Sequence, residues 1–251
     1  MIQLTIIRIE GYGQWTLTLG SDREAQLQML QARIYYDVQR LFSERDSIVF
    51  FNRFDEYFAI TNGLNADDHL HIQHELTKLY DNMLMSMTIG SGKTAFEANL
   101  NAYRTRKEGR RILDGNARIF GNVQPQADVA QIMHIDIDSS AKVGNRLSPY
   151  ELTVLVTKIY SRLAEEFLKH DSLAFFLGGD NIMVISNGMT KEQTDQVLKR
   201  VTAGNDIKLN CGIGIGKTGR RAAEAATKAL DTIRDLREVG KIQTIYEIQC
   251  P

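Results

Sequence analysis

Ser47 to Gly63 reads SIVFFNRFDEYFAITNG, and Ser172 to Gly188 reads SLAFFLGGDNIMVISNG. Seven of the seventeen aligned positions are identical, at an offset of 125. Each stretch holds two short apolar runs around a tight turn, the pattern of a β-hairpin. The likeness extends outward in order. Ile89-Gly-Ser-Gly-Lys-Thr94 matches Ile213-Gly-Ile-Gly-Lys-Thr218 at an offset of 124, and Ile6-Ile-Arg-Ile-Glu-Gly11 sets against His134-Ile-Asp-Ile-Asp-Ser139 at 128. Three blocks in one order at nearly constant spacing identify an internal repeat, with halves at 1–124 and 125–251. The stretch Gln124–Asp128 is the expected boundary.

Both halves share a layout. An apolar run opens each (Leu4–Ile9; Ile132–Ile137) and a long helical segment follows (Arg23–Phe42; Tyr150–His170). In the second helix Leu152, Leu155, Val156, Ile159, Leu163 and Phe167 recur at helical spacing. After the hairpin come a helix, a strand (Leu84–Ile89; Leu209–Ile215), another helix and a short closing strand (Arg118–Val123; Gln243–Ile248). Without its ends this is β-α-β-β-α-β, so the expected fold class is α+β: two tandem ferredoxin-like repeats with antiparallel sheets and helices on one face.

Composition narrows the function. Of 251 residues, 43% are hydrophobic and 24% charged, enough for a sizeable core. Thirty basic and thirty-one acidic residues give a net charge of −1, which argues against a nucleic-acid polymer or an anionic membrane as partner. The two cysteines, Cys211 and Cys250, form no CxxC, so they supply neither a disulfide framework nor the usual zinc set. The opening run MIQLTIIRIE contains Arg8 and Glu10 and reads as a strand. No run is long enough to span a membrane, and the expected location is cytoplasmic.

The second half concentrates carboxylates. Alternation along His134-Ile-Asp-Ile-Asp138 puts Asp136 and Asp138 on one face of a strand. Gly178-Gly-Asp-Asn181 occupies the hairpin turn, where Gly178 and Gly179 permit positive φ and leave room for phosphates near the backbone. Asp180 falls opposite Asp136 if the two strands are neighbours. Such hard oxygen donors suit magnesium completed by water and phosphate oxygens. The first half carries a partial copy: Glu10 aligns with Asp138 and Asp55 with Asp180, while Arg8 replaces Asp136, and Arg53 and Phe54 replace the glycines.

Two other signals are weaker. Gly212 to Thr218 resembles a P-loop, but that motif needs glycine at position 211, where Cys211 stands. These glycines read better as points of close helix–strand packing. His69, His71 and His74 are not on one helical face and read as a solvated helix.

The strand acids with the Gly-Gly-Asp turn resemble the catalytic palm of GGDEF-type nucleotide cyclases. The resemblance implies that Asp136 and Asp180 bind divalent metal and act in catalysis. Asp138 joins that candidate set, with Glu10 and Asp55 as first-half counterparts. Asn181 departs from the cyclase pattern, which has an acid there. Tyr103 to Arg110 resembles the cyclases' basic stretch, making Arg106 and Arg110 candidate phosphate contacts beside Gly178 and Gly179. The corresponding Arg234–Lys241 stretch is displaced by an apparent two-residue insertion.

The tandem arrangement, with the aromatic Gly11-Tyr-Gly-Gln-Trp15 loop, Arg53-Phe-Asp55 and Phe176-Leu-Gly-Gly-Asp-Asn181, resembles the archaeal GTP cyclohydrolase III family nearly end to end. That resemblance implies GTP as substrate, ring opening at C8 with the formyl group retained, and loss of two phosphates. It implies Mg2+ dependence, monovalent-cation (K+) activation, a homo-oligomer, and a role in riboflavin and deazaflavin precursor synthesis. A nucleotidyl cyclase and a silent GTP-binding module are the competing readings. Tyr12 and Trp15 are candidates for base stacking, with simple packing the alternative.

Overall fold

The computed structural model describes residues 1–112, 117–124, 128–138, 147–204 and 207–250. Part of the expected boundary, residues 125–127, lies outside them. The chain forms two compact units, Ile2–Gly92 with Glu97–Asp128, and Val129–Pro251 with Met1 and Lys93–Phe96.

The first unit contains β1 (Ile2–Ile9), α1 (Tyr12–Leu17), α2 (Glu24–Ser43), β2 (Ile48–Arg53), β3 (Glu56–Ile60), α3 (Ala66–Leu79), β4 (Met85–Gly92), all of α4 (Ala95–Lys107) but its first two residues, and β5 (Ile119–Gly121). The second contains β6 (Ala130–Asp138), α5 (Pro149–Leu168), β7 (Leu173–Gly178), β8 (Asn181–Ile185), α6 (Lys191–Thr202), β9 (Lys208–Gly216), α7 (Gly219–Glu238) and β10 (Ile245–Gln249). The sheet orders are β2-β3-β1-β4-β5 and β7-β8-β6-β9-β10. Four strands of each sheet are antiparallel, and the fifth runs parallel to its neighbour, β4 or β9. The ferredoxin-like repeat is thus present twice, extended by one strand.

Local chemistry accounts for the elements. Ser148 accepts from the Glu151 amide while Glu151 reaches back to the Ser148 N–H, and Pro149 occupies the first turn of α5. Asn65 with Asp68 caps α3 in the same way. The apolar stripe of α5 buries Val156, Ile159, Leu163 and Phe167 against Met133, Ile135 and Ile137 of β6. In the first unit Ile34, Val38, Leu41 and Phe42 of α2 meet Ile7, Ile9 and Met87. Phe42 and Phe167 are both fully buried, each worth about 1.5–3 kcal/mol over exposure.

The expectation that all helices share one face holds for α2 and α3, and for α5 and α6, but fails for α4 and α7. Along β9, Cys211 and Ile213 belong to the core under α5 and α6. The alternate residues Gly212, Gly214 and Gly216 face α7, so close that a Cβ on Gly214 would stand 2.1 Å from the Ala222 carbonyl oxygen. Gly90 is as close to Ala98 and Ala102 of α4. The glycine rows let these helix backbones lie directly on the sheet. Thr218 caps α7 by accepting from the Arg221 amide. The segment expected as an aromatic loop forms the short helix α1.

Two three-histidine candidates, His71 and His74, are exposed, but His69 is fully buried. Its Nε2 lies 2.8 Å from Thr5 Oγ1 and its Nδ1 lies 2.7 Å from the Asn65 carbonyl oxygen. The solvated-helix reading is therefore wrong for His69, because its i, i+3, i+4 spacing to Ile72 and Gln73 puts it on the inward stripe.

Candidate active site

On β6 the row His134, Asp136, Asp138 alternates with buried Ile135 and Ile137, and faces α7. Each member meets that helix. His134 Nδ1 lies 3.1 Å from Thr227 Oγ1, Asp136 Oδ1 lies 3.5 Å from Arg234, and Asp138 Oδ2 lies 3.1 Å from Arg237. Asp136 is the cross-strand partner of Asn181 on β8 and of Asn210 on β9. The backbone N–H of Ile137 donates to the Asp180 carbonyl oxygen at 3.2 Å, fixing the turn against the end of β6.

Asp180 and Asp136 thus share one strand end. Burial first, then the negative charge of Asp180, holds the Asp136 carboxyl above its usual range, against the opposing influence of Arg234 and a hydrogen bond from Asn210. Gly178 and Gly179 have φ values of 112° and 61°, and a Cβ on either would meet nothing within 4 Å. Conformation, not crowding, selects glycine here, and the backbone is open on its outer side. A cavity of about 260 Å³ adjoins the turn, lined by Gly179, Asp180 and Ile137 with Leu152, Thr153 and Val156 of α5.

The first unit places its aligned residues alike but inverts the charge at one of them, Arg8 for Asp136, while Glu10 and Asp55 keep the charge of Asp138 and Asp180. Arg8, at the position of Asp136, forms an ion pair with Glu56, at the position of Asn181; Asn52 also donates to Glu56. Glu10 receives two hydrogen bonds from Arg106, at 2.6 and 2.8 Å, and one from Ser86. Burial alone would raise the Glu10 carboxyl, yet these hydrogen bonds and the Arg106 charge outweigh it and leave the group below its ordinary range. Asp55 lies 3.4 Å from Arg53, and Arg110 is an exposed group 3.1 Å from Glu108. Phe54, in place of Gly179, packs edge-on against Phe51 with 5.0 Å between centroids and lines a cavity of about 510 Å³.

The sequence candidates therefore fall into two groups. Asp136 and Asp180 gather with Gly178 and Gly179, while Asp138, on the same strand face as Asp136, pairs with Arg237; Glu10 and Arg106 gather with each other, and Asp55 joins Arg53. Sequence reasoning missed Arg234 and Arg237. Arg237 contacts Asp138 and Asn210, as Arg106 contacts Glu10 and Ser86. Asn210 lies 124 residues beyond Ser86, but Arg237 lies 131 beyond Arg106; this seven-residue shift, larger than the two residues expected from the sequence, hid the equivalence. Tyr12 packs on the first core, where Gln31 donates to its hydroxyl. Among the described residues no group of three or more His, Cys, Asp or Glu side chains forms a metal cluster, and no helix is long and apolar enough to cross a membrane.

Fold and strand-end chemistry define a tandem ferredoxin-like α+β protein with an acidic turn in its second half. The model of the GTP cyclohydrolase III family matches residues 1–247. GTP cyclohydrolase III of Methanosphaera stadtmanae is 38% identical over 239 residues, covering 93% of each chain. That of Methanocaldococcus jannaschii is 38% identical over 238 residues, covering 93% of this chain and 88% of its own. Among solved structures, the GGDEF domain of DgcB from Caulobacter crescentus aligns with a TM-score of 0.40 at 14% identity, over 63% of this chain and 94% of that one. The chain belongs to the GTP cyclohydrolase III family. It is accordingly an enzyme of the cyclic-amidine hydrolase type.

Proposed function

We propose that this enzyme opens the imidazole ring of GTP at C8, keeps the formyl group and releases two phosphates, giving 2-amino-5-formylamino-6-(5-phosphoribosylamino)pyrimidin-4(3H)-one. The family match and the open acidic turn support this reading. Its reaction site is assigned to the second half, with Asp136 and Asp180 as catalytic metal-holding residues. The single observation that carries the assignment is geometric: the Ile137 N–H holds the Asp180 turn against the end of β6, and Asp136 pairs across the strands with Asn181, the residue after Asp180. Two carboxylates held together in part-buried surroundings, with only the half-exposed Arg234 guanidinium beside one of them, fit a divalent ion. Magnesium typically takes only one or two carboxylates and completes its shell with water and phosphate oxygens. When bound, it would neutralise phosphate charge and acidify a coordinated water.

The chain's own residues do the rest. Gly178 and Gly179 let phosphate oxygens approach the turn's backbone. Arg234, half exposed and 3.5 Å from Asp136, is placed to exchange that carboxylate for a phosphate when a cation takes over its partner. Asp138 is held by Arg237 and serves the outer side of the site. Glu10 and Asp55 fit a metal less well, because Arg106 holds Glu10 through two hydrogen bonds and, beside Asp55, Arg8 stands where Asp136 would be. Arg106 and Arg110 remain phosphate candidates only if they release Glu10 and Glu108.

A K+ activator, a homo-oligomeric state, a cytoplasmic location and a role in flavin and deazaflavin precursor supply belong to the same proposal. For self-association the support is β7, an edge strand exposing Phe176 and Leu177 at 39% and 44%. The direct test of the site is substitution. Asp180→Ala and Asp136→Asn should each lower GTP consumption and phosphate release by about 10²-fold or more. Product formation and phosphate release near wild type in Asp180→Ala would show that the metal site is misassigned.

A further inference from the structure

We infer that His134 is a positioning residue for Asp180, acting through Asn181. This inference rests on the proposed metal role of Asp180. Three side chains connect in series. His134 Nδ1 lies 3.1 Å from Thr227 Oγ1, His134 Nε2 lies 3.0 Å from Asn181 Oδ1, and Asn181 Nδ2 donates to Asp180 Oδ1 at 2.8 Å.

The direction of the series follows from its end. An ionised carboxylate can only accept, so the Asn181 amide nitrogen must face Asp180 and its oxygen must face His134. His134 then carries its proton on Nε2 and donates, which leaves Nδ1 of the neutral ring to accept from the Thr227 hydroxyl. One arrangement satisfies every member. A Cβ–Cγ–amide side chain free to rotate would give Asp180 no fixed orientation; an amide held at both ends does.

Two further observations tie the series to the site. Gly212, beside His134 across the sheet, has no Cβ, and a Cβ there would stand 2.1 Å from the Ala226 carbonyl oxygen. The close seat of α7 at this glycine is what brings Thr227, the next residue, to His134. The first half has no such series: Ile6 stands for His134, and Glu56 for Asn181 is consumed by Arg8. The departure of Asn181 from the cyclase pattern also acquires a reason. An acid there would repel Asp180, whereas the amide holds it. Outer groups that orient a metal ligand in this way commonly change metal affinity by about 10- to 100-fold when removed.

The test is Mn2+ binding to the full-length protein, read from the electron paramagnetic resonance signal of free Mn2+. Folding of every variant is checked by circular dichroism and thermal melting. His134→Phe and Asn181→Ala should each weaken Mn2+ binding by about 10-fold or more. The double variant should be no weaker than the worse single one, because both cut the same series. His134→Gln, whose amide N–H can still donate to Asn181, should recover most of the loss; should His134→Phe not fold, Asn181→Ala and His134→Gln carry the comparison. Folded His134→Phe, or Asn181→Ala in its place, binding Mn2+ like wild type while Asp180→Ala has lost it would overturn the positioning role alone. Wild-type Mn2+ binding in Asp180→Ala would instead remove the metal-site reading, and this inference with it.

Discussion

At the scale of single residues, Asp136 carries two opposed demands. Its ionised form is disfavoured in the fold by burial and by Asp180, so ionising Asp136 costs the metal-free protein stability as pH rises. Asp136→Asn should therefore raise the melting temperature of the metal-free protein at pH 7 and abolish any further rise on adding Mg2+, as thermal melts with and without the ion would show. His69 makes a separate prediction. Burial lowers its pKa below the ordinary 6.5, so the neutral ring is favoured in the fold and its stabilisation is lost as pH falls below about 6.5. Melting temperature between pH 7 and 5 should fall more steeply for the wild type than for His69→Gln; parallel slopes would contradict this. Asp136 and Asp180 were legible in the sequence because strand alternation and a double-glycine turn are local patterns. Arg234 and Arg237 were not, because their meeting with β6 depends on how α7 lies across the sheet, and an insertion had shifted their spacing.

At the scale of elements, the hairpins and the long helices are read directly from periodicity, and the observed spans differ from expectation by a few residues at their ends. Both hairpins even share an irregularity, a register shift at Phe51/Arg53 and at Phe176/Gly178. What periodicity did not reveal is the face on which α4 and α7 lie. Those helices pack through alanines on a strip of glycines, and a glycine adds no apolar signal to a strand. Gly214→Ala would put a methyl carbon 2.1 Å from one backbone atom and 2.2 Å from another. It should destabilise the second unit by about 3 kcal/mol or more, because backbone on both sides has to move. Urea unfolding measures this. A loss under about 1 kcal/mol would mean that α7 shifts freely, and would weaken the account of how Arg234, Arg237 and Thr227 reach β6.

At the scale of the whole molecule, one repeat has diverged into two electrostatic solutions. Asp46 and Asp171, 125 residues apart, both hold left-handed backbone, with φ values of 53° and 54°, so the common ancestry extends to strained positions. Yet the Arg8–Glu56 pair closes in the first half what Asp136 and Asp180 leave open in the second. Asp55→Ala should accordingly change GTP turnover by less than about threefold, consistent with a substitution away from the reacting groups; a steady-state assay beside Asp180→Ala decides it. The repeat could be seen in sequence because identity survives in the motifs. The charge inversion was visible only as substitutions, and its meaning came from seeing Arg8 paired. The most direct measurement is mass spectrometry of the nucleotide formed from GTP and Mg2+ by the purified protein, with released phosphate assayed alongside. A formyl-retaining, ring-opened monophosphate with two phosphates released per GTP is the predicted result. A cyclic nucleotide with pyrophosphate, or unchanged GTP across monovalent salts, would contradict the account.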